Sequence, residues 1–153
     1  MDCGLSNIVS RGADFTTAGI CGPCRWMSPE VLDPPDDLSD VEEYRCLFTP
    51  ASDVYSFGMT VLEVVTGAIP FVHRRYDTVV ILDVIRGVLP QRPGPEVMSE
   101  DLWKLLQNCW QRVPERRPSA AFVESWLNTV YCMDDVKESS KSESSREESS
   151  SGG

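Results

Sequence analysis

Apolar positions recur at helical spacing through the second half of the chain, and no segment alternates as a half-buried strand would. Between Ser52 and Gly67, Val54, Tyr55, Phe57, Met59, Val61, Leu62, Val64 and Val65 cover nearly the whole circumference of a helix. A helix apolar all round belongs at the centre of a core. Ser52 is its candidate N-cap, Asp53 suits its first turn, and Gly67 ends it. A second helix is predicted from about Asp77 to Gly87, with Val79, Val80, Leu82, Val84 and Ile85. A third runs from Ser99 to about Trp110, with Glu100 and Asp101 in its first turn and Leu102, Trp103, Leu105, Leu106, Cys109 and Trp110 on one face. A fourth starts at Ser119 after Pro118 and carries Phe122, Val123, Trp126, Leu127 and Val130. The expected fold is therefore mainly α, with four helices over residues 52–130 and no internal repeat.

The flanks differ. Residues 1–50 carry Gly4, Gly12, Gly19, Gly22, Pro23, Pro29, Pro34, Pro35 and Pro50, too closely spaced for long elements. Residues 30–33 have room for one helical turn before the Pro34-Pro35 pair stops it. From Asp134 to Gly153 the chain holds Asp, Ser, Glu, Lys, Arg and Gly with one apolar residue, Val136. Such a stretch cannot bury enough surface to offset its ordering entropy, so 134–153 is expected to be a disordered tail. Ser140, Ser144 and Ser145 each precede a Glu by three residues, a pattern suited to an acid-directed kinase, although the composition favours a plain solvated tail.

At 153 residues the chain has the length of one domain. A net charge of −10 makes it a poor partner for DNA, RNA or an anionic membrane. The longest apolar runs, Phe57–Val65 and Val79–Ile85, are too short to span a bilayer and contain Glu63 and Asp83. The start, Met1-Asp2-Cys3-Gly4, has neither the basic region nor the apolar run of a signal peptide, and Asp2 excludes myristoylation. His73 is the single histidine and Lys104 the only lysine before residue 137, so a His–His metal site or a triad needing a second histidine is excluded. Six cysteines are too few for a disulfide scaffold. These features predict a soluble, cytoplasmic chain with reduced thiols.

Cys21-Gly22-Pro23-Cys24 is the thioredoxin redox sequence, and Pro29 falls where a thioredoxin helix tolerates a proline. That chemistry needs a low-pKa thiolate at a helix N-terminus after a buried strand. Thr16-Thr17-Ala18-Gly19-Ile20 makes a weak strand, and nothing downstream supplies a βαβ framework. A zinc site fares worse, because no second C-x-x-C or paired histidine exists.

The surrounding residues carry a different signal. Gly22-Pro23-Cys24-Arg25-Trp26-Met27-Ser28-Pro29-Glu30 resembles the end of a protein kinase activation segment, Gly-Thr-x-Arg-Trp-Met-Ala-Pro-Glu. Asp2-Cys3-Gly4 is similar to the Asp-Phe-Gly that holds magnesium. Ser52-Asp53-Val54-Tyr55-Ser56-Phe57-Gly58 resembles the start of the long central helix of the kinase large lobe. Cys109-Trp110 and Pro114-Glu115-Arg116-Arg117-Pro118-Ser119 resemble the end of that lobe. Four motifs in order cover residues 2–130, and their wording is most similar to tyrosine-kinase-like serine/threonine kinases.

The resemblance implies phosphoryl transfer from ATP to a protein hydroxyl, with ATP and magnesium as cofactors and a protein as substrate or docking partner. It implies that Asp2 coordinates magnesium and that Glu30 pairs with Arg117 beneath Trp110, tying the activation segment to the last helices. It implies that Asp53 lies inside the lobe, accepting backbone N–H bonds from the catalytic loop. Trp26, Met27 and Ser28 would shape the pocket that reads the substrate backbone, and Thr16 and Thr17 stand where activation-loop phosphosites stand. The helix from Asp77 to Gly87 would be a docking element.

Departures accompany these matches. Cys3 replaces the aromatic of Asp-Phe-Gly, and Pro23 replaces a threonine that in the family touches the catalytic aspartate. The sequence holds no Gly-rich phosphate loop, and its one body lysine, Lys104, is on a late helix. His73-Arg74-Arg75-Tyr76-Asp77 echoes the His-Arg-Asp catalytic loop but has the wrong spacing and follows the activation segment. The chain thus reads as the C-terminal part of a kinase large lobe, catalytically incomplete by itself, with a non-catalytic interaction module and a thiol redox protein as the alternatives. The central helix is expected to leave an apolar face open to solvent or to self-association.

Overall fold

The computed structural model describes residues 23–35 and 41–130. All regular structure among them is helical, with no strand. In chain order the elements of residues 23–118 are α1 (Pro29–Leu32), α2 (Val41–Arg45), α3 (Pro50–Thr66), α4 (Asp77–Ile85), α5 (Glu100–Cys109) and a 3-10 turn, Pro114–Arg116. The expected tail, 134–153, lies outside the described residues.

The expected irregular first third holds more structure than its Pro and Gly content suggests. Pro34 and Pro35 do stop α1, but α2 follows. It has Glu42 and Glu43 in its first turn and Arg45 in its last, each favourable to the helix dipole, and an exposed Arg45–Glu42 pair at 3.0 Å. The Tyr44 hydroxyl donates to the Val31 carbonyl at 3.2 Å, fastening α2 to α1.

The start of α3 corrects the sequence reading. Thr49, not Ser52, is the N-cap, and Pro50 takes the first helical position, where its missing N–H is no loss. The Thr49 hydroxyl accepts from the Ser52 N–H at 3.2 Å, and the Ser52 hydroxyl accepts from the Thr49 N–H at 2.9 Å. This reciprocal box satisfies two otherwise orphaned donors. At the other end Gly67 takes φ +67 and donates its N–H to Glu63 at 2.7 Å, as its position after the apolar run predicted.

Burial of α3 is one-sided, in line with the open apolar face expected of it. Val54, Tyr55, Gly58, Met59 and Leu62 form one buried stripe, whereas Phe57 and Val64 are 38% and 76% exposed. An apolar circumference shows that a helix could be surrounded; which sides are covered depends on its neighbours. The covered stripe packs on α5 and on the 3-10 turn. Fully burying side chains such as Met59 and Leu106 stabilises by about 1.5–3 kcal/mol each.

The approach of α5 to α3 is set by Gly58. A Cβ there would lie 2.7 Å from Trp110 Nε1 and 3.1 Å from Cys109 Cβ. Trp110 follows α5 as its C-cap and packs edge-on against Trp103, ring centres 5.5 Å apart. The Ser99 hydroxyl caps α5 by accepting from the Leu102 N–H at 3.2 Å. On the other side of this unit, α1 packs against α4, which buries Val80, Val84 and Asp83. Asp83 is held by Arg74 Nε at 2.7 Å.

Residues 120–130, in a second unit that begins at Ser119, form a further helix, here α6. The Ser119 hydroxyl accepts from the Phe122 N–H at 3.2 Å and caps the helix at the start read from the sequence. Within α6 Val123 is buried, while Phe122 is 55% exposed.

Candidate functional site

Residues 23–33 form a folded segment held at three points. Pro23 opens a turn in which Trp26 N–H donates to the Pro23 carbonyl at 3.0 Å. Ser28 is extended, at φ −74 and ψ 156, and Pro29 starts α1 directly after it. The extended residue before a proline and the fixed proline φ follow from local sterics. Arg25, Trp26 and Glu30, all within this short stretch, bond to three separate parts of the chain.

Glu30 reaches the C-terminal side of this unit. Arg117 Nη1 donates to Glu30 Oε1 at 2.7 Å and Nη2 to Oε2 at 2.8 Å. The Arg117 side chain is fully buried and is further held by the Ala51 carbonyl at 2.9 Å and the Gln111 carbonyl at 2.8 Å. Its guanidinium also lies 5.1 Å from the Tyr55 ring centre. Burial opposes the charge on Glu30, but hydrogen bonds from Arg117 and the backbone outweigh it and hold the carboxyl below its usual range. Burial likewise pushes the Tyr55 hydroxyl well above the usual tyrosine range.

Trp26 Nε1 donates to Glu63 Oε2 on α3 at 2.9 Å. Arg25 is buried and spends its guanidinium on the α3–α4 loop: Nε on Asp77 Oδ1 at 2.9 Å, Nη1 on the Pro70 and Phe71 carbonyls at 2.9 and 3.0 Å, and Nη2 on the Arg74 carbonyl at 3.0 Å. The structure therefore gathers Trp26, Met27, Ser28, Glu30 and Arg117 around one folded segment. Trp26 and Met27 are half-buried, but Ser28 is buried, so its side chain offers no surface to a ligand.

Asp53, expected inside the lobe, is exposed in the first turn of α3. Trp110 is buried against α3, but its Nε1 makes no hydrogen bond. Asp2, Thr16 and Thr17, the expected magnesium ligand and phosphosites, lie outside the described residues, as does Cys21.

Cys24, the second cysteine of the redox-like sequence, is buried, only 1% exposed. A reactive thiolate needs access and a lowered pKa, and burial denies the first. Among the described residues no group of three or more His, Cys, Asp or Glu is placed to hold a metal ion. No described helix is long and apolar enough to cross a membrane.

Reading by sequence missed Arg25, Glu63 and Asp77 as anchors. Arg25 is the one basic residue between Gly12 and Trp26, a usable signal, but its partner Asp77 stands in the sequence only as the start of a predicted helix.

Residues 1–127 match the model of the protein tyrosine and serine/threonine kinase family. The chain is 38% identical over 120 residues to the seven transmembrane domain-containing tyrosine-protein kinase 1 of Dictyostelium discoideum, covering 78% of this chain and 16% of that protein. It is 33% identical over 139 residues to fibroblast growth factor receptor 1 of Dugesia japonica, covering 90% and 14%. To the tyrosine-protein kinase Src64B of Drosophila melanogaster it is 26% identical over 138 residues, covering 88% and 22%. The chain thus spans less than a quarter of each relative's length.

Proposed function

The chain belongs to the protein tyrosine and serine/threonine kinase family, and from that premise we propose that it supplies the activation segment and helical body of a kinase large lobe acting on a protein hydroxyl. The observation that carries this reading is the Glu30–Arg117 pair. It joins the Pro-Glu end of the first motif to the Arg-Arg-Pro of the last, two motifs 87 positions apart with no other reason to meet. In this reading Trp26 and Met27 face the substrate, and Asp2 is the residue that would hold magnesium. The ion would neutralise charge on the phosphoryl group as it moves. The motif wording favours a tyrosine-kinase-like serine/threonine enzyme.

By themselves these 153 residues are proposed to transfer no phosphate. Phosphoryl transfer runs on positioning and charge stabilisation, and this sequence carries no Gly-rich loop, no His-Arg-Asp base and no lysine placed for the nucleotide. Lys104 is on α5, 62% exposed and 3.8 Å from Glu100. A second reading, a non-catalytic module that self-associates or docks a partner, draws on the exposed Phe57 and Val64 of α3. The free thiols Cys46 and Cys109 fit the proposed cytoplasmic setting.

Two assays test these readings. The purified chain should show no heat of Mg-ATP binding and no radiolabel transfer to a protein acceptor. Saturable transfer abolished by Asp2→Ala would overturn the claim of incompleteness. Residues 2–130 transplanted into the corresponding stretch of the Dictyostelium tyrosine-protein kinase should give an enzyme that needs Asp2. A folded chimera without activity would sink the large-lobe reading in favour of the interaction module.

A further inference from the structure

We infer that Arg25 is a positioning residue that locks the loop between α3 and α4 to the segment containing Trp26 and Met27, so that the two move as one body. The inference rests on the reading of that segment as substrate-facing only for its functional meaning; its geometry stands alone.

One guanidinium, in a residue 7% exposed, takes four acceptors from a single stretch of chain: the carbonyls of Pro70, Phe71 and Arg74 and the carboxylate of Asp77. A planar fork with fixed donor directions matches this set, whereas a lysine ammonium would reach only part of it. The loop needs such a partner. Between residues 68 and 76 its own backbone pairing is the Arg74 N–H to the Phe71 carbonyl at 2.7 Å. The Pro70, Phe71 and Arg74 carbonyls therefore have Arg25 as their common organiser.

Two further features point the same way. Phe71, 2% exposed, takes φ +56, a left-handed conformation that a side chain as large as phenylalanine keeps only when its surroundings impose it. The N-cap of α4, Tyr76, makes no side-chain capping bond. Asp77, in the first turn, is held by Arg25 Nη2 at 2.8 Å, so the start of α4 is fixed from the other segment. The outer side of the same loop displays Val72 and Tyr76, 63% and 62% exposed. Displacing residues 23–27 would release the carbonyls of the loop and the first turn of α4 together, altering that outer surface. Because coupling free energy is reciprocal, loosening the loop must loosen the segment.

Hydrogen exchange on the full chain tests this. In Arg25→Lys the amides of Arg74, Val79 and Val80 should exchange at least about tenfold faster, while those of Met59–Thr66 and Trp103–Cys109 keep their rates. In Asp77→Ala the amides of Trp26 and Met27, which bond to Pro23 and Cys24, should also exchange faster. Unchanged loop protection in Arg25→Lys would overturn the lock. So would a uniform rise over α3 and α5 in both variants, which would make Arg25 only a contributor to global stability. Failure of the kinase reading would instead show in the chimera and leave these rates untouched.

Discussion

Glu30 and Arg117 meet as a doubly bonded ion pair, with Nη–Oε distances of 2.7 and 2.8 Å, although 87 positions separate them in the chain. Arg117 is wholly buried at the junction and Glu30 is 21% exposed, so the pair fixes the start of α1 against the helical body. Two carbonyls, of Ala51 and Gln111, complete the guanidinium's bonding. The pair's energetic weight lies in the cost of breaking it: burying two charges is itself expensive, and removing one partner strands the other.

Arg117→Ala should destabilise the chain by about 3–5 kcal/mol, whereas Arg116→Ala, at an exposed neighbouring position with no ion pair among the described residues, should stay within about 0.5 kcal/mol. Thermal or urea unfolding monitored by circular dichroism checks this. Equal small effects would mean that the pair does not hold the segment in solution.

The pH dependence follows from the lowered Glu30 pKa. A carboxyl with a depressed folded pKa contributes stability above its unfolded value, usually 4.5, and loses it as pH falls through the lower folded value. Wild type should therefore exceed Glu30→Gln in Tm by a constant margin from pH 7 to about 5, and the margin should shrink as pH drops below about 4.5. A margin that stays level down to pH 3 would contradict the assignment.

Gly58→Ala should destabilise even though alanine is the better helix former. The helix-propensity gain is about 0.5–1 kcal/mol, but the added Cβ would sit 2.7 Å from Nε1 of a buried, rigid indole. Overpacking of this kind costs roughly 1–3 kcal/mol. Combining Gly58→Ala with Trp110→Phe, which removes that ring nitrogen, should cost less than the sum of the single variants. Strict additivity in urea titrations would show that the contact relaxes freely.

Thiol labelling separates the folded lobe from a redox protein. Cys46 is exposed, whereas Cys24 is buried and burial pushes the Cys109 thiol up to about 11. Iodoacetamide at pH 8, followed by peptide mass spectrometry, should modify Cys46 quickly and Cys24 and Cys109 only after denaturation. Rapid native labelling of Cys24 would revive the Cys-Gly-Pro-Cys chemistry.

Local pattern alone determined where the long helices lie and how they end. The run of apolar residues before Gly67, the Ser99 cap with its acidic first turn, and Ser119 after Pro118 all act within one or two turns of their own helix. Even the Thr49–Ser52 box was legible in principle, since Pro50 permits a helix to begin before Ser52. Family motifs named Glu30 and Arg117 as partners, but only the fold brings them within 2.7 Å. Which side of α3 is covered was not written in its composition, because an apolar circle looks the same whichever neighbours reach it. Asp53 lies exposed for the same reason: its position in the first turn is local, but its partners are not. Arg25 and Asp77 were hardest to see, since carbonyl acceptors such as those of Pro70 and Phe71 leave no mark in the side-chain pattern and exist as a set only once the loop has folded around the guanidinium.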